Sequence, residues 1–487
     1  MRMRYLVVVL SCLSLVDAAF AQERKRPNII VILADDLGYG DAGCYGATKV
    51  KTPHMDRLAR EGMRFTDAHS PSAVCTPTRY AIMTGQYAWR QKGTGILPGI
   101  APLCIPQDRW ENCLPNLLRR AGYATAVIGK WHLGLGTTTT DYNKELKPGP
   151  KEIGFDQSFI IPATGDRVPC VYVENGKVVN YDPNDPITLD YSIQRGEPKS
   201  FVSGIPRIGG MTGGKTALWK DEDIALTLET QAIKFIEANK QKPFFLYLAT
   251  HDIHVPRVPH PNWRGKSEAG VRGDVVQQFD ATVGAILAAL ERLKLDGETI
   301  VIVTSDNGGV LDPNGPDTVN AGTIASNNGH LFNGRLRGGK GMAYEGGHRV
   351  PFLVRWPGRT PPGKTSDETI AHLDFMATFV AIVGQKLPDS AGPDSFSFLP
   401  ALMKEKADRP CRDHLVYHGN TLAIRKGPWV LFPEAGKKAK LAQNELYNLT
   451  DDLSQSRNLF AQHPELVRDM AALLKKVKDD GRSRPTE

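Results

Sequence analysis

Two apolar runs that end in oxygen-bearing side chains constrain the fold of this chain more than any other feature. Residues 26–36 have the sequence RPNIIVILADD, and residues 299–307 have the sequence TIVIVTSDN. Neither run alternates apolar with polar positions, and such continuous runs are typical of strands buried on both faces of a sheet. A sheet covered on both faces needs helices packed against it, so the sequence predicts an α/β fold.

Further apolar runs alternate with amphipathic segments along most of the chain. Strands are predicted at residues 63–68, 123–133, 243–250 and 350–356, and helices at residues 52–62, 112–121, 221–240, 274–295 and 373–384. Residues 134–220 are rich in proline, glycine and threonine, which predicts loops and short strands at the mouth of a cleft. The alternation indicates one large domain with a mixed sheet between layers of helices.

Beyond Pro388 this alternation stops. Short extended runs predict a small antiparallel sheet from residues 415–417, 422–425, 429–432 and 446–448. Residues 464–478 then predict a closing amphipathic helix, with Leu466, Met470 and Leu473 facing inward.

Residues 1–21 have the features of a secretory leader, with an arginine-containing start, an apolar middle and a small-x-small motif before Gln22. We therefore expect an exported protein, periplasmic or secreted, and no other segment is apolar enough to span a membrane. The rest of the chain is divided into a catalytic domain at residues 22–400 and a C-terminal subdomain at residues 401–487.

The charge and the cysteines exclude some classes of protein. The formal net charge is +7 over 487 residues, but the lysines and arginines are scattered, so a nucleic-acid partner is not expected. Of the seven cysteines, Cys12 lies in the leader. In an exported protein the remaining cysteines are candidates for disulfides, and the predicted pair is Cys104 with Cys113.

The two opening runs end in a set of hard oxygen donors. Asp35 and Asp36 follow the first run, and Asp306 and Asn307 end the second. Ligands of open α/β sheets sit at the carboxyl ends of strands. If the two strands are neighbours, three carboxylates and an amide meet, which favours Ca²⁺ or Mg²⁺ over zinc or copper.

Residues 72–90, SAVCTPTRYAIMTGQYAWR, predict a short helix with reactive side chains at its start. Thr76 is a good N-cap, Pro77 suits the first helical position, and Gly85 fits the C-cap. Cys75 would then stand just before a helix N-terminus, where free N–H groups favour an anion. Arg79 opposes the helix dipole, so a role beside a nucleophile that faces an anion explains it better.

Three further segments carry candidate chemistry. Lys130 and His132 end the strand predicted at residues 123–133, and in extended chain they would point the same way. His251 and His254 follow the next strand, but the prolines after them exclude a helical zinc motif. Residues 334–340 fit half of a phosphate-binding loop but lack the hydroxyl and the preceding strand, so nucleotide binding is not predicted.

Residues 75–79, CTPTR, resemble the maturation signature C-x-P-x-R of the formylglycine-dependent sulfatases. Five more segments resemble that family in the same order along the chain: RPNIIVILADDLGYGD, GKWHLG, HDIHVP, TSDNG and GGKGMAYEGG. The resemblance covers nearly the whole mature chain. It implies an alkaline-phosphatase-like α/β fold with a small C-terminal antiparallel domain, and a sulfate ester as substrate.

The resemblance also implies a role for each matching residue. Cys75 would be oxidised to formylglycine by a formylglycine-generating or anaerobic sulfatase-maturing enzyme, and its hydrate would attack sulfur. Ca²⁺ would be held by Asp35, Asp36, Asp306, Asn307 and position 75. Charge on the sulfuryl group would be neutralised by Arg79, Lys130 and Lys340. His254 would protonate the departing alcohol together with Lys340, and His132 would take a proton from the hydrate.

The sequence gives weaker indications of the substrate. His330, Arg335, Arg167 and Lys215 are candidates to contact a sugar. The segments HSPSAVCTPTRYAIMTGQYAWR and GDRVPCVYVENG resemble sulfatases acting on 6-sulfated galactose or N-acetylgalactosamine. Two alternatives are a phosphate or phosphonate ester hydrolase of the same superfamily and a non-catalytic glycan-binding protein with this fold.

Overall fold

The computed structural model of the protein describes residues 26–310, 327–403, 410–433 and 444–486. The predicted leader at residues 1–21 lies outside these ranges. Within them, no helix is both long and apolar enough to cross a membrane.

Short and long strands alternate with helices along the described ranges. The strands are β1 (Asn28–Ala34), β2 (Met63–Phe65), β3 (Ala68–His69), β4 (Ala124–Lys130), β5 (Gln157–Ile161), β6 (Val173–Glu174), β7 (Lys177–Val178), β8 (Thr188–Asp190), β9 (Phe201–Val202), β10 (Ile205–Pro206), β11 (Gly210–Thr212), β12 (Phe244–Ala249), β13 (Thr299–Ser305), β14 (Phe352–Arg355), β15 (Lys364–Ser366), β16 (Ile370–Ala371), β17 (His414–His418), β18 (Leu422–Lys426), β19 (Trp429–Phe432) and β20 (Glu445–Asn448). The α-helices are α1 (Pro53–Glu61), α2 (Cys75–Thr84), α3 (Leu114–Arg120), α4 (Ile224–Ala238), α5 (Gly270–Arg292), α6 (Glu345–His348), α7 (Phe375–Ile382), α8 (Leu399–Leu402) and α9 (Pro464–Asp479).

One large mixed sheet organises the molecule, in the order β15-β2-β14-β13-β1-β12-β4-β5-β6-β7. Its centre, from β13 to β5, is parallel. By contrast, β14 and β6 run antiparallel to their neighbours. Because β1 pairs in parallel with β13, the carboxyl ends of the two predicted oxygen-bearing strands lie side by side at the same end of the sheet. The predicted α/β class and mixed sheet are confirmed.

Alternate residues of β1 face two different hydrophobic cores, as continuous apolar runs require. Ile29, Val31 and Leu33 pack in a core that also contains apolar residues of α2, α3 and α7. Ile30 and Ile32 pack on the other face, with apolar residues of α1, α4 and α5. The helices therefore cover both faces of the sheet and hold its central strands away from water.

Most predicted elements are present with shifted ends. The strand predicted at residues 63–68 is divided, because β2 belongs to the large sheet whereas β3 pairs with β16. The helix predicted at residues 112–121 begins later, at Leu114, after a 3₁₀ turn at Gln107–Asn112. Residues 134–220 contain seven short strands, of which β5, β6 and β7 extend the large sheet.

The C-terminal part forms the predicted antiparallel sheet, in the order β17-β18-β19-β20. Helix α9 packs on it through Met470, Leu474 and Val477, and the predicted Leu466 and Leu473 are partly buried against the same core. Strand β17 also contacts the large domain, because Ala73 N–H donates to His418 O at 2.7 Å.

All six cysteines in the described ranges have free thiols, so the predicted Cys104–Cys113 disulfide is wrong. Both residues pack in or against the core that contains α3. Burial raises the pKa of Cys104 to about 12, which leaves its thiol protonated and unreactive at neutral pH.

Candidate active site

The ends of β1 and β13 meet, as the sequence predicts. Asp306 N–H donates to Ala34 O at 3.1 Å, and Asp36 N–H lies 3.3 Å from Asp306 Oδ1. Asn307 Nδ2 donates to Asp36 Oδ1 at 2.7 Å. Asp35, Asp36, Asp306 and Asn307, here called the strand-end cluster, are at most 1% exposed. Four polar side chains from distant parts of the sequence thus converge in a buried position.

Each carboxylate of this cluster has a cationic partner from a different segment. Lys130 Nζ is 2.6 Å from Asp35 Oδ2, Lys340 Nζ is 2.6 Å from Asp36 Oδ1, and Arg79 Nη2 is 2.7 Å from Asp306 Oδ2. Ion pairs this deeply buried are costly to assemble unless they are well paired and hydrogen-bonded. Their concentration at one strand end marks a site built for charge.

The strand-end cluster fits a divalent cation. Asp35 Oδ1, Asp36 Oδ2 and Asn307 Oδ1 are buried, and none has a hydrogen-bond partner among the described residues. Bare buried oxygens are costly unless something positive faces them. Burial and then the neighbouring Asp35 raise the pKa of Asp306, the expected direction for crowded carboxylates with no cation between them. An all-oxygen set of this kind suits Ca²⁺ or Mg²⁺.

Helix α2 carries Cys75 towards this cluster, with one correction to the prediction. The helix begins at Cys75 itself, and its N-cap is Val74, so Thr76 is not the N-cap. The Thr76 hydroxyl instead donates to His132 O at 3.1 Å, a tertiary contact that replaces local capping. Gly85 ends the helix in the left-handed conformation, with φ of 60°, as predicted.

Cys75 and Arg79 share a face of α2 because they are one turn apart. Arg79 is fully buried and donates through Nη1 to Lys130 O at 2.9 Å as well as to Asp306. Burial alone would lower the pKa of Lys340, but Asp36, Cys75 and Asp35 raise it, in that order. Lys340 therefore stays protonated.

His132 has a different backbone from the one predicted. Strand β4 ends at Lys130, and His132 has a left-handed φ of 53°, so the extended chain that was predicted to align these two side chains does not reach it. Its Nε2 lies 2.9 Å from Leu97 O and must carry the hydrogen, because a carbonyl only accepts. Nδ1 is then a bare, buried acceptor. Burial and then Lys130 lower the pKa of His132, so the ring is a neutral base.

His254 faces the cluster from the loop after β12. Its Nδ1 lies 2.6 Å from Val255 O, and its Nε2 is 3.8 Å from Asp36 Oδ2. Burial and then Lys340 lower the pKa of His254 to about 3. The ring is therefore neutral until an anion binds beside it. His251 lies 3.4 Å from Pro256 O and packs over Gly165, a position that shapes the loop.

Asp166 is a site residue that sequence reasoning missed. Its side chain is 5% exposed, and the Thr164 hydroxyl donates a hydrogen bond to Asp166 Oδ1. Burial opposes ionisation, yet the neighbouring basic side chains of His254, Arg167 and Lys340 hold the pKa of Asp166 well below its usual range. A carboxylate in the loop between β5 and β6, with no motif around it, gave no sequence signal.

The four predicted sugar-binding residues occupy different environments. Arg167 is mostly buried beside Asp166, and its Nη1 donates to Leu97 O at 3.0 Å. His330 is 4% exposed and bonds through Nε2 to Asp41 Oδ1 at 2.8 Å, and its predicted contact with a sugar stays a prediction. Arg335 and Lys215 are exposed, and their predicted role stays a prediction.

An α/β sheet that brings buried carboxylates, bare buried oxygens, three cations and a cysteine together at the ends of neighbouring strands has the groups that a hydrolase of anionic esters requires. Comparison with known proteins gives the particular family. The Sulfatase family model matches residues 27–385, and the chain belongs to this family. The protein is accordingly a sulfuric ester hydrolase.

Two curated relatives share a substrate class in their names. An N-acetylgalactosamine-6-O-sulfatase from Bacteroides thetaiotaomicron is 46% identical over 97% of this chain and 97% of its own length. An N-acetylgalactosamine-6-sulfatase from Mus musculus is 32% identical over 86% of this chain and 73% of its own length. Human arylsulfatase A is 34% identical over 78% of this chain and 68% of its own length.

Solved structures agree with the family. A structure from work on glycosaminoglycan metabolism by Bacteroides thetaiotaomicron is 46% identical, with a TM-score of 0.87 over 93% of this chain and all of that one. The phosphonate monoester hydrolase of Agrobacterium radiobacter is 16% identical, with a TM-score of 0.59 over 94% of this chain and 96% of that one. The second likeness shows the shared fold alone.

Proposed function

We propose that this protein is an exported exo-sulfatase that removes 6-O-sulfate from N-acetylgalactosamine or galactose at the end of a sulfated glycan. We further propose that Cys75 is converted to formylglycine by a maturation enzyme and that Ca²⁺ occupies the strand-end cluster. The sugar is supported by the relatives named for N-acetylgalactosamine-6-sulfate, one of which matches 97% of this chain. Export is supported by the leader at residues 1–21.

The observation that carries the catalytic part of the proposal is the group of bare oxygens. Asp35 Oδ1, Asp36 Oδ2 and Asn307 Oδ1 are buried without donors in the described part of the chain. Asp306, Asp35, Asp36 and Asn307 would hold the ion, and Ca²⁺ in that position would act as a Lewis acid on a sulfate oxygen. The oxygens alone are compatible with Mg²⁺, and the family resemblance favours Ca²⁺.

The charges around the proposed ion favour an anionic substrate. The cluster's carboxylates and their cationic partners balance: Asp35, Asp36 and Asp306 against Arg79, Lys130 and Lys340. A divalent ion therefore leaves a positive excess in a buried site, where electrostatic attraction is strong. Preorganised positive charge of this kind stabilises the sulfuryl oxygens as their charge redistributes during transfer.

Formylglycine hydrate at position 75 would supply both the hydroxyl that attacks sulfur and a second hydroxyl, which a thiol lacks. His132 is suited to take a proton, because its Nδ1 is a bare acceptor and Leu97 O fixes the hydrogen on Nε2. Lys340 is suited to donate a proton to the leaving alcohol, because it stays charged beside Asp36. A bound sulfate ester would raise the pKa of neutral His254 and recruit it to the same task.

Asp166 and Arg167 give this site a polar side where the alcohol leaves. Arg167 and His132 both donate to Leu97 O, at 3.0 and 2.9 Å, which places the Asp166–Arg167 pair beside His132 of the proposed site. A buried carboxylate accepts hydrogen bonds from sugar hydroxyls, and a site built to pair with hydroxyls rejects substrates that lack them. The two residues therefore support a sugar alcohol as the leaving group.

A substrate panel tests the proposal. The mature protein is co-expressed with a maturation enzyme. It is then assayed with N-acetylgalactosamine 6-sulfate, its 4-sulfate isomer, an aryl sulfate and an aryl phosphate. We expect the 6-sulfate to have the highest kcat/KM and the aryl phosphate the lowest. Preference for aryl phosphate would contradict a sulfatase, and preference for the 4-sulfate would contradict the proposed sugar position.

Peptide mass spectrometry of the Cys75 segment tests the modification separately. We expect the aldehyde mass in active protein from a host with the maturation enzyme, and a thiol mass with almost no activity from a host without it. An active sample that retains the thiol mass would refute the role of formylglycine. N-terminal sequencing of protein recovered outside the cytoplasm tests cleavage before Gln22.

A further inference from the structure

A second cluster of metal-ligating side chains lies outside the strand-end cluster. His69 ends β3, the strand that leads into the Cys75 segment, and Glu345 and His348 lie on α6. One ligand atom of each residue lies within 4.8 Å of the others, and all three residues are at most 1% exposed. None of them has a part in the proposed sulfate chemistry. We call them the His-His-Glu cluster.

The contact between the two histidine rings of this cluster lacks a hydrogen atom. His69 Nε2 is 2.8 Å from Asp67 Oδ1, and His348 Nε2 is 3.1 Å from Ala343 O. Both oxygens only accept, so each of these nitrogens must carry a hydrogen. The two Nδ1 atoms then face each other at 3.0 Å with bare lone pairs, because a neutral imidazole has a single N–H.

The neighbouring Arg425 does not supply the missing hydrogen. Arg425 Nη1 lies 3.2 Å from His69 Nε2 and also donates to Asp67 Oδ1 at 2.7 Å. If His69 Nε2 accepted from Arg425, the ring hydrogen could move to Nδ1. A bare ring nitrogen would then lie 2.8 Å from a carboxylate oxygen of Asp67, which is an equally repulsive contact.

The third residue of the cluster also lacks a donor. Glu345 Oε2 accepts from Arg349 Nη1 at 2.9 Å, whereas Glu345 Oε1 is buried and has no hydrogen-bond partner among the described residues. Two imidazole nitrogens 3.0 Å apart therefore lack a hydrogen between them, and the bare carboxylate oxygen Glu345 Oε1 lies 4.0 Å from His348 Nε2.

We propose that His69, His348 and Glu345 form a second metal site, which takes a borderline divalent ion such as Zn²⁺ and is distinct in its donors from the strand-end cluster. Two imidazoles and a carboxylate are a common zinc donor set, whereas Ca²⁺ prefers oxygen alone. The surroundings support this ligation, because Asp67 and Ala343 O fix the ring hydrogens on Nε2 and leave Nδ1 for the metal.

The site would join three parts of the molecule. Ser70 N–H donates to His348 O at 2.8 Å, next to the segment that leads to Cys75. The ring of Tyr417 in β17 stacks on His348, with ring centroids 3.8 Å apart. An ion between β3 and α6 would therefore stabilise the Cys75 segment against the segment that follows Lys340, with the C-terminal sheet covering both.

Zinc content is the direct test. The chain is produced as the Cys75→Ser variant, so that no thiol at the proposed active site can bind zinc, and Ca²⁺ is kept in excess to fill the strand-end cluster. Protein made with Zn²⁺ in the medium is desalted, and zinc and protein are quantified. We expect about one zinc ion per chain, bound in the folded state.

His348→Asn in the same background is the informative variant. An asparagine amide reaches near the position of Nδ1 and can donate an N–H to His69, so it supplies the missing hydrogen without a good zinc ligand. We expect zinc to be lost while the melting temperature in zinc-free buffer is kept. His54→Asn, which changes a half-buried histidine on α1, is the matched control and should keep its zinc.

Each other outcome overturns the proposal. If the Cys75→Ser protein with both histidines intact contains no more zinc than a blank, a proton alone lies between the two rings. Equal zinc in the His348→Asn protein would place the metal elsewhere. If that variant fails to fold, Co²⁺ loading of the background protein replaces it. Visible absorption of a tetrahedral Co²⁺ site supports the proposal, and its absence refutes it.

Discussion

Asp35 and Asp36 use their two oxygens differently, and this division makes the site. In each residue one oxygen accepts from a buried lysine and the other has no donor among the described residues. The sequence predicted which residues would gather here, because two apolar strands ended in oxygen ligands. It did not predict Asp166, because no local sequence pattern indicates the tertiary partners of that residue.

Lys340→Ala should remove the protonated group beside Asp36. We expect kcat for an aryl sulfate to fall by roughly 10²–10³-fold, the usual loss when a preorganised donor is removed from the transition state. Lys240→Ala is the matched control, because Lys240 is exposed in the turn before β12, at the opposite edge of the sheet. A fall smaller than tenfold, or an equal fall in the control, would count against the role of Lys340.

Arg79→Met should destabilise the fold and make its stability depend on Ca²⁺. The variant leaves the buried Asp306 carboxylate without its partner, which typically costs about 3–5 kcal/mol of unfolding free energy. Urea unfolding measures this loss, and saturating Ca²⁺ should reduce it by binding the folded state. Arg57→Met, at a surface ion pair, should cost less than about 1 kcal/mol. Equal losses in both variants would contradict this account.

Helix α2 shows how far local rules reach at the scale of one element. Its C-terminus at Gly85 could be predicted, because a helix commonly ends at a residue in the left-handed conformation and glycine adopts that conformation most easily. Its N-terminus does not follow, because the Thr76 hydroxyl bonds to His132 O and leaves Val74 as an N-cap without a side-chain bond. Tertiary contacts of this kind shift element ends without changing element order.

Gly85→Ala should destabilise the protein more than Gly93→Ala. Both glycines have positive φ, and a left-handed conformation costs a non-glycine residue roughly 1–2 kcal/mol. A Cβ at Gly85 would also lie 2.6 Å from Gly392 Cα, whereas nothing lies within 4 Å of one at Gly93. Overpacking should add about 1–3 kcal/mol to the loss for Gly85→Ala, measured by chemical denaturation. Equal losses would show that the neighbouring loop yields freely.

At the scale of the whole molecule, the large domain and the C-terminal sheet share buried ion pairs. Arg425 of β18 donates to both oxygens of Asp67, at 2.7 and 2.6 Å, across 358 positions of sequence. Arg349 Nη2 lies 3.3 Å from the same carboxylate. The sequence predicted the two sheets separately, but no periodicity or motif reports which charges pair between them.

Asp67→Asn should change how stability depends on pH. Burial opposes ionisation, yet Arg349 and Arg425 hold the pKa of Asp67 well below its usual range. The stabilising contribution is therefore full above the unfolded pKa of about 3.9 and is lost as pH falls from there towards the folded pKa. Denaturation from pH 7 down to pH 3 should show the wild type losing stability below about pH 4 and the variant changing less.

At pH 7 the Asp67→Asn protein should be less stable by about 3–5 kcal/mol, because the buried Arg425 loses its carboxylate partner and Arg349 keeps only Glu345. Asp452→Asn is the control, since burial opposes ionisation of Asp452 but hydrogen bonds from Arg457 and Ser456 in an exposed turn lower its pKa. It should leave the neutral-pH stability nearly unchanged. A wild-type profile that stays flat between pH 5 and pH 3 would contradict the assigned role of Asp67.

The bond from Ala73 N–H to His418 O bears on how this chain can be cut into fragments. The donor lies two residues before Cys75, and the acceptor belongs to the C-terminal sheet. A fragment that stopped at residue 400 would expose the backbone of the reactive segment and an apolar surface that β17 now covers. The smallest useful expression unit therefore extends through α9, even though the family match ends at residue 385.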